Sequence, residues 1–373
     1  MRILLRGFFF YIMIEMNSSD SKKLFLEEKN KMNKPLALAS ASLLLAGFAA
    51  PVVVSAQDDF SVIMITDQGG VDDKSFNQSA WEGIEAWGEE NSKERGVGGY
   101  DYLQSNSDSD YVTNLNSAVQ ANFDITFGIG FKLETAINDV AQQFPDNHFA
   151  IVDSFVEQPN VASLNFKDHE AAFLAGVAAA TSSESGHIGF IGGVEGVVID
   201  RFEAGYVAGA KAVNPDIQVS VEYVGSFADA PRGRQLAAAM YSNGADIIFQ
   251  AAGESGNGVF SEAKDLVAND PSLNIWVVGV DMDQEAEGVI EIDGEERNLT
   301  LTSTLKQVGE SVKIFIEKTQ TDGFEAGNTT YGLVDGGVGI TEGHMSDEAY
   351  ELVQEYQEKI IAGDVEIPET PEN

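Results

Sequence analysis

The residues best placed to do chemistry in this chain stand directly after strand-like apolar runs. They are Asp67, the pair Gly130 and Phe131, Asp153, the pair Gly192 and Gly193, Phe227, Gly253, Asp281 and Lys306. Open parallel sheets bind ligands outside the carboxyl ends of their strands. One polar or aromatic residue at a strand end is unremarkable, but the same choice at most strand ends outlines a cleft. Carboxylates, rings, a lysine and glycines can hold and orient a small polar molecule. They do not amount to a reaction centre.

Motifs that would add reaction chemistry fail on inspection. The chain has no G-x-x-x-x-G-K-[ST] phosphate loop, and no strand-like run is followed by G-x-G-x-x-G. Gly253-Glu-Ser255-Gly256-Asn257 approaches a nucleophile elbow, but Asn257 stands where the final glycine belongs. The four histidines, His148, His169, His187 and His344, lack H-E-x-x-H spacing. His169, between Asp168 and Glu170 at a helix start, reads as a capping or surface residue. Asp281-x-Asp283 would need Gly at Ala286 and Glu at Ile292 to form a calcium loop. Asp108 and Asp110 read as a solvated turn. The absence of cysteine removes disulfides, thiolate ligands and thiol nucleophiles together. No catalytic residue, metal site or cofactor is expected.

The elements that must position the strand-end residues follow a regular rhythm. Phe60–Thr66 is a strand-like run, followed by a helix capped by Ser75, with Ala80, Trp81, Ile84 and Trp87 at helical spacing. Strands at 100–104, 125–128, 149–153 and 161–166 lead to a helix over 169–181. The pattern restarts at His187–Ile191. Helices at 201–213, 233–243 and 259–268 then alternate with strands at 218–223, 247–250 and 276–280. A polar hairpin or loop at 287–298, a strand at 299–304 and a helix at 308–318 follow.

Such β-α alternation argues for parallel sheets covered by helices on both faces. At 373 residues the chain suits two α/β lobes. The first lobe is expected to comprise 57–182 with 284–318. The second is expected to comprise 183–283 with 319–366, leaving 367–373 as a frayed tail.

The first 56 residues read as an extension and an export signal. Met32-Asn33-Lys34 is a short basic start, 36–50 is apolar, and Val54-Ser55-Ala56 is a small-x-small cleavage site. Met32 is taken as the initiator, since 1–31 do not fit the pattern. Those 56 residues carry 7 Lys or Arg and 4 Asp or Glu, so removing them takes the formal charge from −38 to −41. That charge repels nucleic acid and anionic membrane surfaces. It weakly favours a neutral or cationic ligand over a phosphorylated one.

A resemblance runs through most of the chain. Asp67-Gln-Gly-Gly-Val-Asp-Asp-Lys-Ser-Phe-Asn77 with Ala80-Trp-Glu-Gly83 resembles the opening signature of the basic membrane protein family. That family consists of substrate-binding proteins of ABC importers and includes purine nucleoside receptor lipoproteins. The likeness continues in His169–Gly176, His187–Gly193, Gly225–Asp229, Gly244–Phe249, Gly253–Gly258 and Trp276–Gln284. It covers nearly all of residues 60–345.

The resemblance implies a type I periplasmic-binding fold, with two doubly wound parallel-sheet lobes joined by a three-crossing hinge. It implies that Phe76 and Phe227, on opposite lobes, sandwich a base. By the same likeness Asp67, Asn77 and Asp153 read the base edge, and Asp281 clamps the ribose with Lys306 beside it. Gly253 and Gly256 would let backbone approach the ligand.

The implied function is capture of a nucleoside, with a purine favoured, for delivery to the permease subunits of an ABC importer. The protein would be monomeric, without nucleic-acid partners. Family members are often lipoproteins, yet Leu45-Ala-Gly-Phe48 has Phe where a lipid-bearing Cys belongs. An exported, soluble, periplasmic protein is therefore expected. Two other readings stay open: a sugar or related polar metabolite on the same fold, and, more remotely, a nucleoside hydrolase.

Overall fold

In a computed structural model, residues 60–372 are described, so the export signal expected within residues 1–56 lies outside the described residues. The chain opens with β1 (Val62–Ile65), α1 (Phe76–Glu90), β2 (Tyr100–Leu103), α2 (Tyr111–Ala121), β3 (Ile125–Ile129), α3 (Glu134–Gln143), β4 (His148–Val152) and β5 (Val161–Phe166). The next series runs α4 (Asp168–Ser182), β6 (His187–Gly192), α5 (Val197–Val213), β7 (Gln218–Tyr223), α6 (Ala230–Ser242), β8 (Ile247–Ala251), α7 (Asn257–Asn269) and β9 (Trp276–Gly279). The last elements are β10 (Val289–Ile292), β11 (Glu295–Asn298), β12 (Thr300–Lys306), α8 (Val308–Asp322), β13 (Gly327–Tyr331), β14 (Val338–Ile340) and α9 (Asp347–Ala362).

Two six-stranded sheets result, ordered β13-β5-β4-β3-β1-β2 and β14-β12-β9-β8-β6-β7. Every neighbouring pair is parallel except β12 with β14. Central strands such as Val62–Ile65 and Ile247–Ala251 are buried at every position and apolar but for Gln250, because helices cover both faces. Edge strand β7 is half-exposed along its length. Each sheet is doubly wound, and β10 with β11 forms the antiparallel hairpin expected of the polar insert.

The chain passes between the lobes three times: from β5 into α4, from β12 into α8, and from β13 to β14. The crossings lie side by side. Lys167 N donates to Tyr331 O at 2.8 Å, and Gln307 N donates to Gly337 O at 2.9 Å. Leu333 N donates to Glu170 Oε2 at 2.7 Å, tying the first crossing to the third.

Past Asp168, His169 and Glu170, helix α4 is apolar on all sides through Ala180 and serves both cores. Ala171, Leu174 and Val177 pack into the first, while Ala172, Ala175 and Ala179 pack into the second. It lies so close to α5 that a Cβ on Gly209 would stand 2.0 Å from the Phe173 carbonyl oxygen. The backbones of α4 and α5 are therefore in direct contact near the far end of α5.

Lobe membership departs from the expected boundaries. The 284–318 segment does not belong wholly to the first lobe, because β12 pairs with β9 in the second sheet and only α8 returns to the first. Nor does 319–366 belong wholly to the second, because β13 pairs with β5 in the first sheet. Alternation shows where strands occur, but two similar sheets offer equivalent edges. The tail is also better held than expected: Ile367 packs against the first core and Glu369 Oε2 accepts from Arg201 Nε at 3.3 Å.

Candidate ligand-binding cleft

The strand ends of both lobes converge on one cleft. Asp67, Phe76, Asn77 and Asp153 line it from the first lobe; Phe227, Gly253, Asp281 and Lys306 line it from the second sheet's side. Gly256 does not line it. A Cβ there would stand 1.8 Å from Gln250 Oε1, so this glycine makes room for a buried glutamine and not for a ligand.

The turn after β1 builds one wall. Asp67 Oδ1 accepts from Gly69 N at 3.0 Å and from Asn77 Nδ2 at 2.8 Å. Asp73 holds the start of α1. Its Oδ1 accepts from Ser75 N and Gln78 N, and its Oδ2 accepts from Asn77 N and Asn77 Nδ2. The side chain of Ser75, expected to cap this helix, makes no capping bond. Asp73 takes that role because a carboxylate satisfies several helix-start N–H groups at once. Ser75 Oγ instead donates across the cleft to Asp281 Oδ2 at 2.5 Å.

The orientation of Asn77 follows from its neighbours. Two carboxylates accept from its Nδ2, which leaves Oδ1 buried without a partner. Asp153 Oδ1 is likewise buried and unpartnered. This side of the cleft therefore offers acceptors.

Asp153 and Asp281 both have left-handed backbone, with φ of 66° and 64°. Aspartate tolerates that region better than most residues, and strained backbone gathers at binding sites. Each carboxylate sits just past the end of its strand, lining the cleft.

Lys306 is 3% exposed and stands 2.5 Å from Asp153 Oδ2 and 2.9 Å from Asp168 Oδ1. Its expected companion was Asp281, which it meets through the backbone, Lys306 N donating to Asp281 O at 2.8 Å. The ammonium itself turns to the other two carboxylates. It also lies 5.1 Å from the Phe76 and Phe166 ring centroids. Asp168 was not among the candidates; it is buried, and Arg201 Nη1 lies 3.8 Å from its Oδ2.

Burial pushes Asp67, Asp153 and Asp281 up to about 6, against opposing pulls from Asn77 for the first and Lys306 for the other two. Burial also raises Asp73 and Asp168. Burial alone would lower Lys306, but Asp153, Asp168 and Asp281 outweigh it and hold the ammonium charged. The cleft is thus richer in carboxylates than in cations.

Phe76 and Phe227 enter from opposite lobes, as a sandwich requires. Two further rings line the cleft. Phe131 meets Phe227 edge-on at 6.1 Å, and Phe202 comes from α5 with Val198 and Ile199. A Cβ on Gly193 would stand 2.3 Å from the Phe227 ring, so that strand-end glycine seats the ring. Phe131 was visible as a strand-end residue; Phe202 sits mid-helix, where its spacing marks only a core face.

His169 is buried, not at the surface, and its Nδ1 has no partner. It lines a hinge-side hollow with Lys167 and Arg201 that adjoins the cleft and shares Phe131, Asp153 and Val198 with it. Asp108 is no bare turn residue either, since Lys132 Nζ lies 2.8 Å from its Oδ1. Among the described residues no three of His, Asp and Glu are placed to hold a metal ion.

Two doubly wound lobes, a three-strand hinge and a polar, ring-lined cleft at the strand ends define a bilobal solute-binding protein. The family described as ABC transporter substrate-binding protein PnrA-like matches residues 60–371, and the chain belongs to it. A CD4+ T-cell-stimulating antigen of Listeria innocua is 46% identical over 354 residues, covering 91% of this chain and 99% of that protein. The ABC transporter nucleoside-binding protein BmpA of Lactococcus lactis subsp. cremoris is 46% identical over 341 residues, covering 89% and 97%. The fold matches a solute-binding protein of an ABC transporter system from Aeropyrum pernix with a TM-score of 0.72. That likeness has 24% identity and covers 84% of this chain and 94% of the other. Substrate-binding proteins of ABC importers work outside the cytoplasm with a ligand and a membrane permease. Among the described residues no helix is long and apolar enough to cross a membrane.

Proposed function

We propose that the cleft captures a nucleoside, with a purine preferred, and delivers it unreacted to the permease of an ABC importer. One observation carries the reading: aromatic rings from opposite lobes flank a wall of buried acceptors, Asn77 Oδ1 and Asp153 Oδ1, that lack protein partners. Rings stack on a base, and the acceptors call for N–H groups on its edge. Asp281, already accepting from Ser75 Oγ, is placed to accept from ribose hydroxyls as well. The excess of carboxylates disfavours a phosphorylated ligand. Nucleoside binding by the Lactococcus relative agrees with this assignment. The protein is read as periplasmic, soluble and monomeric.

A thermal-shift screen against nucleosides, free bases, nucleotides and common sugars tests the reading. A ligand at a hundred times its dissociation constant stabilises by about 2.7 kcal/mol, enough to raise the melting temperature visibly. A response to nucleosides alone is expected. A response to sugars with silence from nucleosides would move the ligand class, and release of free base from a bound nucleoside would make the protein a hydrolase.

A further inference from the structure

Three consecutive residues of the first lobe, Asp73, Lys74 and Ser75, each receive or make a hydrogen bond across the cleft. Asn257 Nδ2 donates to the Asp73 carbonyl at 3.2 Å, Gln284 Nε2 donates to the Lys74 carbonyl at 2.7 Å, and Ser75 Oγ donates to Asp281 Oδ2 at 2.5 Å. None of these bonds needs a ligand atom. All three fall on the turn just before Phe76 and Asn77.

Gln284 is built for this contact. Its Oε1 accepts from Gln250 Nε2 at 2.7 Å and from Val280 N at 2.9 Å, so its amide cannot turn over and Nε2 is the end left to cross the cleft. Its backbone is pinned too, with Gln284 N donating to Ser303 Oγ and the Gln284 carbonyl accepting from Thr300 Oγ1. The residue is 2% exposed. On the other side, Lys74 has left-handed backbone, φ 62°, though it is not glycine. Such a conformation persists where surrounding contacts impose it.

We propose that Gln284 and Asn257 form a ligand-independent latch that grips the 73–75 turn, holds part of the free population closed, and positions Phe76 and Asn77 before a ligand arrives. This goes beyond the choice of ligand and holds for any occupant of the cleft. Closure in the free protein raises affinity by prepaying the conformational change, and breaking the latch speeds release more than it slows capture.

Because the chain has no cysteine, Thr113→Cys on α2 and Ser261→Cys on α7 give one exposed nitroxide site on each lobe. Distance distributions between the labels are measured without ligand in this background, and again after adding Gln284→Glu or Asn257→Ala. Gln284→Glu keeps an acceptor for Gln250 and Val280 and turns the donor into a carboxylate oxygen that faces, and repels, the Lys74 carbonyl. Asn257→Ala acts at a second, less buried place, in case the first variant folds poorly. A short-distance population in the unsubstituted background that falls about tenfold in either variant is expected. With guanosine as the probe, the dissociation rate should rise about tenfold and the association rate change less than about threefold.

A free protein with no short-distance population, or one whose distribution neither substitution changes, overturns the latch. The ligand-free arm decides this even if guanosine does not bind, so failure of the nucleoside assignment stays distinguishable.

Discussion

Lys306 Nζ lies 2.9 Å from Asp168 Oδ1, an ion pair in which neither side chain is more than 3% exposed. The same ammonium meets Asp153, so one cation from the second sheet serves two carboxylates of the first lobe and its hinge. Removing one partner of a buried pair leaves uncompensated charge and costs about 3–5 kcal/mol. Lys306→Met should lower unfolding free energy by about that amount at pH 7.5. The loss should shrink toward pH 5, because unpaired Asp153 and Asp168 then take up protons and become neutral. Denaturant titrations at the two pH values check this, and an equal loss at both would remove the ion-pair account.

Affinity should fall as pH drops through about 6. Burial raises Asp67, Asp153 and Asp281 to about 6 in the free cleft, well above the ordinary aspartate value. Donors on the ligand favour the ionised forms, so binding is complete above that value. Below it, affinity should weaken about tenfold per pH unit for each carboxylate that must be ionised. Stability responds with the opposite sign. A carboxylate whose folded pKa is raised makes the folded state bind protons more tightly, so these three groups stabilise the free protein as pH falls from about 6 to 4. Calorimetric binding and melting temperature measured together over pH 4.5–8 check both trends. Affinity that is flat across this range would sink the assignment of these carboxylates to the ligand.

Much of this arrangement can be read from residue order. The runs before Asp67, Asp153 and Asp281 are strands, and each carboxylate falls where a parallel sheet opens. The rest depends on contacts between distant segments. Nothing near Asp168 in sequence shows that Lys306 will reach it, for the two are brought together by adjacent hinge crossings. Asp73 and Ser75 are both eligible helix caps, and Asp281 on the other lobe is what draws the serine hydroxyl away. Gly256 looks like a ligand-facing glycine until Gln250 is seen to occupy the space beside it. The pairing of β12 with β9 depends on which sheet offers an edge, which periodicity does not encode.

Phe76 and Phe227, which line the cleft from opposite lobes, should each carry measurable affinity. Stacking a base on an aromatic side chain is worth about 1–3 kcal/mol. Phe227→Ala should weaken nucleoside binding by that amount with little loss of stability, since the ring is only partly buried at the cleft. Phe76→Ala should cost a similar amount of affinity and also remove a face from the Lys306 ammonium. Titration calorimetry with both variants checks this. Unchanged affinity in both would eliminate the sandwich.

The acceptor wall should rank the purines. Asn77 presents Oδ1 because Asp67 and Asp73 claim its Nδ2, and Asp153 Oδ1 is free of protein partners. Guanosine offers adjacent donors at N1–H and the 2-amino group. Adenosine places an acceptor, N1, where guanosine has its N–H. An acceptor facing acceptors in a buried site costs about 1–3 kcal/mol, so guanosine should bind about ten- to a hundredfold more tightly at pH 7.5. Methylating guanosine at N1 should erase the advantage, because the ring donor is lost while stacking remains. Below pH 6 the gap to adenosine should narrow, as protonated Asp67 becomes able to donate to adenine N1. Competition binding with the three nucleosides at pH 7.5 and 5.5 measures each step, and equal affinity for adenosine and guanosine at pH 7.5 would show that this wall does not read the base edge.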